Sequence, residues 1–290
     1  MTVIELIEQM STRLEQAGVS FGHGTTNAFD EAAWLVLWAL GHPLDGLDLV
    51  AEQSVDEAQI AKAAALVERR IGTRQPAAYL TGEAWLQGVP FTVDERVIVP
   101  RSLIAECIAD ATIDPWLGAE THRVLDLCTG NGSLAVLAAM AWPDVEVTAS
   151  DLSTDALAVA HINVRRHELQ GRIRLAQGDG LAALAGLAPF DLILCNPPYV
   201  NTQSMAELPA EYRAEPEMAL AGGSDGMDFI RRLLRDAPAH MTPAAVLVLE
   251  IGHEREHFDA AFPTLDVVWL PTSAGDDQVL LVTRESLTAG

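Results

Sequence analysis

Asn196-Pro197-Pro198-Tyr199 follows directly on an apolar run, Asp191 to Cys195. Two prolines cannot extend a strand, since they lack the N–H that a ladder needs. The chain must therefore turn away at the strand's carboxyl end, the edge where ligands bind in open parallel sheets. The turn presents two acceptors, the Asn196 side-chain oxygen and the Pro197 carbonyl, and such a pair suits a planar –NH₂ group. Pro198 completes the bend, and Tyr199 adds a ring to wall the reacting nitrogen.

A second constellation lies upstream. Asp126-Leu127-Cys128-Thr129-Gly130-Asn131-Gly132 closes one apolar strand and opens a helix. Glycines there let a ligand approach the backbone, and a helix start offers free N–H groups. Gly130-x-Gly132-x-x-Ala135 matches a loose dinucleotide fingerprint, by itself a weak signal. Asp151, with Leu152 beside it, ends the next strand, where an acid can accept from both hydroxyls of a ribose. Asp179, between Gly178 and Gly180, follows a third strand and is placed to accept from an adenine amino group. Gly and Asp also make plain turns; their order after successive strands favours a nucleoside cofactor.

The elements that must position these residues alternate. Strands are expected at 123–127, 145–150, 172–176, 191–195, 244–251, 267–270 and 278–283. Helices are expected at 133–142, 154–167 (capped by Thr154) and 228–237. That pattern is α/β: a doubly wound, mostly parallel seven-stranded sheet with helices on both faces. The last two strands, joined by residues 273–277, are expected to pair antiparallel at one edge. Residues 1–75 read differently. Thr2 and Glu5 form a capping box before Ile4, Ile7, Met10 and Leu14 at helical spacing, and Gly18 closes that helix. Asp30 to Leu40 is a second helix, with Trp34 and Trp38 on a face read as core. Ser54 and Glu57 have the spacing to open a third. This gives a small helical N-terminal domain, read as the substrate-recognition part. A β-hairpin connector at 76–100 follows, turning at Gln87-Gly88, and the third domain is 101–290.

Composition narrows the partners. The 290 residues are 49% hydrophobic and 20% charged, which excludes a disordered polar chain. Lys and Arg number 18 against 41 Asp and Glu, a net charge of −23, with one lysine, Lys62. Nucleic-acid affinity comes largely from Lys and Arg, so no direct nucleic-acid partner is expected; the acidity either attracts a basic protein or serves solubility alone. Cys107, Cys128 and Cys195 form no paired framework and read as free thiols in a reducing compartment. The start of the chain lacks a signal-peptide pattern, and no apolar run approaches the roughly 20 residues of a membrane span. A cytoplasmic location is expected, without membrane association.

Three features compete for attention. His253-Glu254-Arg255-Glu256-His257 matches H-E-x-x-H, but no third ligand is apparent, so it reads as a solvated helix start and no metal is expected. Cys128 and Cys195 lie near the proposed site without an activating partner and read as apolar fillers. His23 reads as a turn or domain-contact residue. Glu211, Arg213, Glu215 and Glu217 form a polar segment that either engages a substrate or is simply solvated.

Together, Asp126 to Gly132, Asp151, Asp179 and Asn196 to Tyr199 resemble the S-adenosylmethionine-dependent methyltransferases that modify amino groups, over about the last two-thirds of the chain. Two subfamilies use Asn-Pro-Pro-Tyr: adenine-modifying nucleic-acid enzymes and protein-glutamine methyltransferases. The helical N-terminal segment, the connector, Val99-Pro100-Arg101 and the net charge favour the second. In release-factor enzymes the Pro-Arg pair continues as Pro-Asp-Thr-Glu; here Pro100-Arg101 continues as Ser102-Leu103-Ile104-Ala105-Glu106. Phe21-Gly22-His23-Gly24-Thr25, Val93-Asp94-Glu95-Arg96-Val97 and Leu208 to Pro216 are similar to the branch that methylates a glutamine of the third protein of the large ribosomal subunit. This narrower likeness spans nearly the whole chain. Asn131 departs from the usual Ser or Thr, though a backbone contact survives that change.

The resemblance implies a Rossmann-like class I methyltransferase fold and S-adenosylmethionine as cofactor. It implies cofactor contacts from Asp126, Cys128, Thr129, Gly130, Asn131, Gly132, Asp151, Leu152, Asp179, Gly180 and Asn196. Catalysis would fall to Asn196, Pro197 and Tyr199, with Pro198 and Arg101 joining them in substrate binding. The implied partner is a basic ribosomal protein, free or during assembly. Glutamine methylation of a release factor, adenine methylation of nucleic acid and a non-catalytic nucleoside-binding factor remain as alternatives at this point.

Overall fold

The structure, a computed structural model, describes residues 1–289. Helix α1 (Val3–Gln16) starts with the expected capping box, Thr2 and Glu5 each accepting the other's backbone N–H. It buries Val3, Leu6, Ile7, Met10 and Leu14. Helix α2 (Ala28–Leu40) is capped by Asn27 and ends on Gly41 at φ +77°. Trp34 is buried there, but Trp38 is 40% exposed, so only one of the two tryptophans belongs to the core. After the short α3 (Leu47–Val50), helix α4 (Glu57–Thr73) is capped by Asp56 with Gln59. Ser54, expected as that cap, instead bridges to Thr2 in a strand-like contact. Asp56 wins because its carboxylate takes the Gln59 N–H while Gln59 reaches back to the Asp56 N–H.

The connector begins with a short helix, α5 (Ala77–Thr81), unforeseen because five residues give too little periodicity. The hairpin of β1 (Glu83–Leu86) and β2 (Val89–Thr92) then turns at Gln87 and Gly88, both at positive φ, as a two-residue hairpin turn demands.

Helix α6 (Ile104–Ala109) leads into β3 (Arg123–Leu127), α7 (Ser133–Ala141), β4 (Glu146–Asp151), α8 (Thr154–Arg166), β5 (Ile173–Gln177) and β6 (Phe190–Cys195). Then come α9 (Thr202–Glu207), α10 (Asp228–Asp236), β7 (Met241–Glu250), α11 (Arg255–Ala261), β8 (Val268–Thr272), β9 (Gly275–Thr283) and α12 (Arg284–Thr288). Ser153, not Thr154, caps α8. The seven strands run β5-β4-β3-β6-β7-β9-β8. Pairs from β5 to β7 are parallel, and β9 runs antiparallel to both β7 and β8, as the short 273–277 link suggested. Strand order reverses at β3 and β6, which opens a crevice beyond their carboxyl ends.

Side chains of β6 alternate between two cores: Leu192 and Leu194 face one, Ile193 and Cys195 the other. Both faces are covered, which is why the parallel strands read as continuous apolar runs. A third core joins the N-terminal helices to Val93, Val97, Val99 and to Ala156 and Val159 of α8. The helical segment therefore shares its apolar interior with the sheet domain. Buried Asn163 of α8 adds a polar tie, accepting from Thr92 N and donating to the carbonyls of Thr92 and Asn131. Among the described residues, no helix is long and apolar enough to cross a membrane.

Candidate active site

The 196–199 turn divides two cavities at the crevice. The first, about 300 Å³, lies over the carboxyl ends of β3, β4 and β5. Of the residues singled out in the sequence, Cys128, Gly130, Asp151, Leu152, Asp179, Gly180, Asn196 and Pro198 line it. The second, about 280 Å³, lies on the other side of the turn and is lined by Arg101, Asn196, Pro197 and Tyr199 among others. Asn196, Ile98 and Ala219 line both. Pro198, expected toward the substrate, lines the first cavity.

Asp126, Thr129, Asn131 and Gly132 do not line either cavity; they build the loop beneath the first. Asp126 Oδ2 accepts from the Thr129 hydroxyl and from Ala135 N at the start of α7. Burial pushes its carboxyl up to about 7, against the lowering effect of those two donors. A glycine is needed at 132, where φ is +82° and an added Cβ would sit 3.2 Å from Ala160. Asp151 receives Gly130 N on Oδ2 and Ser153 N on Oδ1, both at 2.9 Å. Burial raises its carboxyl and these N–H groups oppose the rise. Each carboxylate oxygen has a further lone pair, so Asp151 can still accept from a ligand in the cavity.

The first cavity fits a nucleoside. Its floor carries Asp151 and the buried Ser150 hydroxyl, which has no partner among the described residues. Its rim carries apolar side chains left in solvent, Leu152 at 51% exposure and Met218 at 53%. Space above Gly130 is open. Asp179 is present but engaged: its Oδ2 meets Arg232 Nη1 at 3.1 Å on the surface. Half-buried Cys128 lines the cavity at φ +62°, while Cys195 is wholly buried and burial raises its thiol.

Tyr199 is held tightly beside the second cavity. Added Cβ atoms at Gly222 and Gly252 would meet its backbone at 2.7 Å and its ring at 2.5 Å. Its hydroxyl donates to Glu250 Oε1 at 3.3 Å. The other Glu250 oxygen accepts from Ser102 Oγ and Leu103 N. Burial raises both the Tyr199 hydroxyl and the Glu250 carboxyl above their ordinary values. Glu250 was missed in the sequence, although it ends β7 much as Asp151 ends β4. Arg101 donates to Glu215 through its two terminal guanidinium nitrogens, at 2.6 and 2.7 Å. Glu211 and Glu215 are buried, so of the two readings of their segment the simply solvated one does not hold for them; Arg213 and Glu217 are exposed.

H-E-x-x-H does not form one helical face, because α11 starts at Arg255 and His253 precedes it. Glu254 is buried and accepts from Asn201 N and Nδ2. Among the described residues, no cluster of three His, Cys, Asp or Glu side chains is placed to hold a metal ion.

Residues 5–82 match the PrmC N-terminal domain family and residues 105–212 the Methyltransferase small domain family. The chain superposes on the hMettl16 catalytic domain, solved in complex with MAT2A 3'UTR hairpin 6, at a TM-score of 0.52. That match covers 78% of this chain and 81% of the other at 13% identity, a likeness of fold alone. The ribosomal protein uL3 glutamine methyltransferase of Bordetella pertussis is 52% identical over 99% of this chain and 96% of its own length. That of Burkholderia pseudomallei is 51% identical with the same coverage, and that of Xanthomonas campestris 40% identical over 99% and 93%. With such identities along the full length of both partners, the chain belongs to the ribosomal protein uL3 glutamine methyltransferase family.

Proposed function

We infer that this chain transfers a methyl group from S-adenosylmethionine to the side-chain amide nitrogen of a glutamine in ribosomal protein uL3. One observation carries the site assignment: the 196–199 turn is the wall between two cavities, and Asn196 lines both. The first cavity is the donor site, with Asp151 for the ribose, Leu152, Met218 and Phe229 around the base, and the Asp126-supported loop beneath. The second is the acceptor site. Bound S-adenosylmethionine supplies an electrophilic methyl on sulfur; everything else falls to the protein.

A carboxamide nitrogen is a poor nucleophile because its lone pair is delocalised into the carbonyl. Orientation is therefore the main lever, and holding reactants in line is worth up to about 7–11 kcal/mol. Asn196 Oδ1 and the Pro197 carbonyl accept the two amide protons and fix the plane of the –NH₂ group. They also stabilise positive charge as it develops on nitrogen, and one of the two amide protons is then lost to water. Tyr199 walls the nitrogen, and its hydrogen bond to Glu250 sets the ring's angle. Gly222 lets the chain close on the Tyr199 backbone and Gly252 on its ring.

The net charge of −23 favours encounter with a basic ribosomal protein, free or during assembly, before RNA covers it. That setting is the cytoplasm, without a direct nucleic-acid or membrane partner. The assignment is tested by incubating the enzyme with methyl-labelled cofactor and separate candidates: uL3, release factors, and DNA or RNA. Label on a uL3 glutamine supports it; label on another candidate alone overturns it.

A further inference from the structure

Phe21-Gly22-His23-Gly24-Thr25 lies outside the sheet domain, yet its imidazole reaches the wall of the second cavity. His23 is 2% exposed, and neither ring nitrogen has a hydrogen bond among the described residues. Its ring packs on Tyr212 with centroids 4.3 Å apart. On Tyr212, in turn, sits the Arg101 guanidinium, 5.3 Å from the ring centroid. Tyr212 and Arg101 both line the cavity. Glu215 closes the stack: it binds Arg101 through both oxygens, takes Val99 N on Oε1, and places Oε2 3.6 Å from His23 Nε2.

The local sequence is shaped for this approach. Gly22 has φ +133°, and a Cβ there would stand 2.8 Å from the Tyr212 hydroxyl. A Cβ on Gly24 would stand 3.1 Å from the Trp34 ring. Thr25 donates to Glu31, which also binds Arg70, and Arg70 reaches Glu211 one residue before Tyr212. The 20–25 loop is thus anchored behind His23, and the 211–215 segment is anchored in front of it.

We propose that His23 is a positioning residue of the methyl-acceptor site: it holds Tyr212 and the Arg101–Glu215 pair in the one arrangement that orients the glutamine amide. The inference rests on the reading of the second cavity as the acceptor site. Truncating the imidazole opens a void beside Tyr212 and removes one of the groups around Glu215. Tyr212 and Arg101 then gain freedom, and the amide loses its fixed angle to the donor. A displacement near 1 Å costs about 100-fold in rate. The donor cavity receives nothing from His23, so cofactor affinity is untouched.

The test uses the full chain with purified uL3 and methyl-labelled S-adenosylmethionine, reading kcat, KM for uL3 and cofactor Kd for each variant. His23→Ala is expected to lower kcat by about 30- to 100-fold while cofactor Kd changes less than about twofold. His23→Gln, whose amide nitrogen can donate to Glu215, is expected to recover most of kcat. Arg13→Ala, which breaks a surface pair on the same helical segment, is expected to behave as wild type. Should His23→Ala fail to fold, Tyr212→Leu removes the stack from the other side and must give the same kcat loss. Unchanged kcat in the His23→Ala or Tyr212→Leu protein overturns the proposal, as does a rise in KM alone, which would mean docking rather than positioning. A joint loss of cofactor affinity and kcat would mark a merely structural role and also overturns it. Absence of label on uL3 with the wild-type enzyme would instead strike the acceptor-site reading itself.

Discussion

The two cavities on either side of the 196–199 turn are built by different means. The donor cavity is floored by strand ends and the loops that leave them, β3 to 127–130, β4 to 150–153 and β5 to 178–180, and is closed above by 96–98 and 216–232. Each floor piece is short, and backbone geometry does most of the shaping there. The acceptor cavity is made by segments far apart in sequence, 98–101, 199–220 and 250–254, pulled together by buried carboxylates. The donor side can therefore be damaged one hydrogen bond at a time. On the acceptor side a single lost group releases several segments together.

Variants that separate the two sides sharpen this contrast. The largest effect is expected where they meet. Asn196→Ala should lower kcat by about 100- to 1,000-fold while changing cofactor Kd only by about threefold or less. Turnover near wild type would mean that the turn does not hold the amide. Next comes Gly252→Ala, on the acceptor side. Its Cβ would meet the Tyr199 ring at 2.5 Å with φ at +54°, so the ring must shift. A kcat loss of about 30- to 100-fold with retained cofactor binding is the expected readout.

On the donor side Asp151→Asn reverses the pattern. Removing a charged acceptor costs about 1.5–3 kcal/mol, or roughly 10- to 100-fold in cofactor affinity, while KM for uL3 stays as in wild type. Calorimetric titration of the cofactor checks it. Equal damage to both substrates would erase the distinction between the cavities.

The smallest effect concerns the clasp itself. Burial alone would raise the Glu215 carboxyl, but His23 and Arg101 override it and hold it at about 2. Its folded-state value lies below the ordinary 4.5, so it adds stability above that pH and loses it as pH falls toward about 2. Acid unfolding of wild type should include this contribution, on the order of 1–3 kcal/mol, and Glu215→Gln should flatten the limb between those pH values. An unchanged limb would mean that the pair does not hold the acceptor segments.

The same contrast explains what could be read from residue order alone. Alternating strands and helices are local patterns, and the sheet followed from them with ends displaced by a few residues. The turn at Gln87-Gly88 and the Asp126-to-Gly132 loop were equally visible, because their conformations are imposed by neighbours in sequence. The cap of α4 was misplaced because Ser54, Asp56, Glu57 and Gln59 offer two overlapping capping frames, and only the backbone path decides between them. The burial of Glu211 and Glu215 could not be read locally, and their segment stayed open between substrate contact and solvation, because their partners, Arg70 and Arg101, lie 141 and 114 residues away. Glu250 was overlooked for a like reason: Ser102, 148 residues distant, is what turns its carboxyl inward. Asp179 was placed correctly on its loop, but nothing local announced Arg232 as its partner.

A crystal structure with S-adenosylhomocysteine and a glutamine-bearing uL3 peptide tests the central claim most directly. The thioether is expected in the cavity over Asp151, and the glutamine amide nitrogen within hydrogen-bond distance of both Asn196 Oδ1 and the Pro197 carbonyl, facing the sulfur across the turn. A glutamine seated away from Asn196, or both ligands on the same side of the turn, would contradict it.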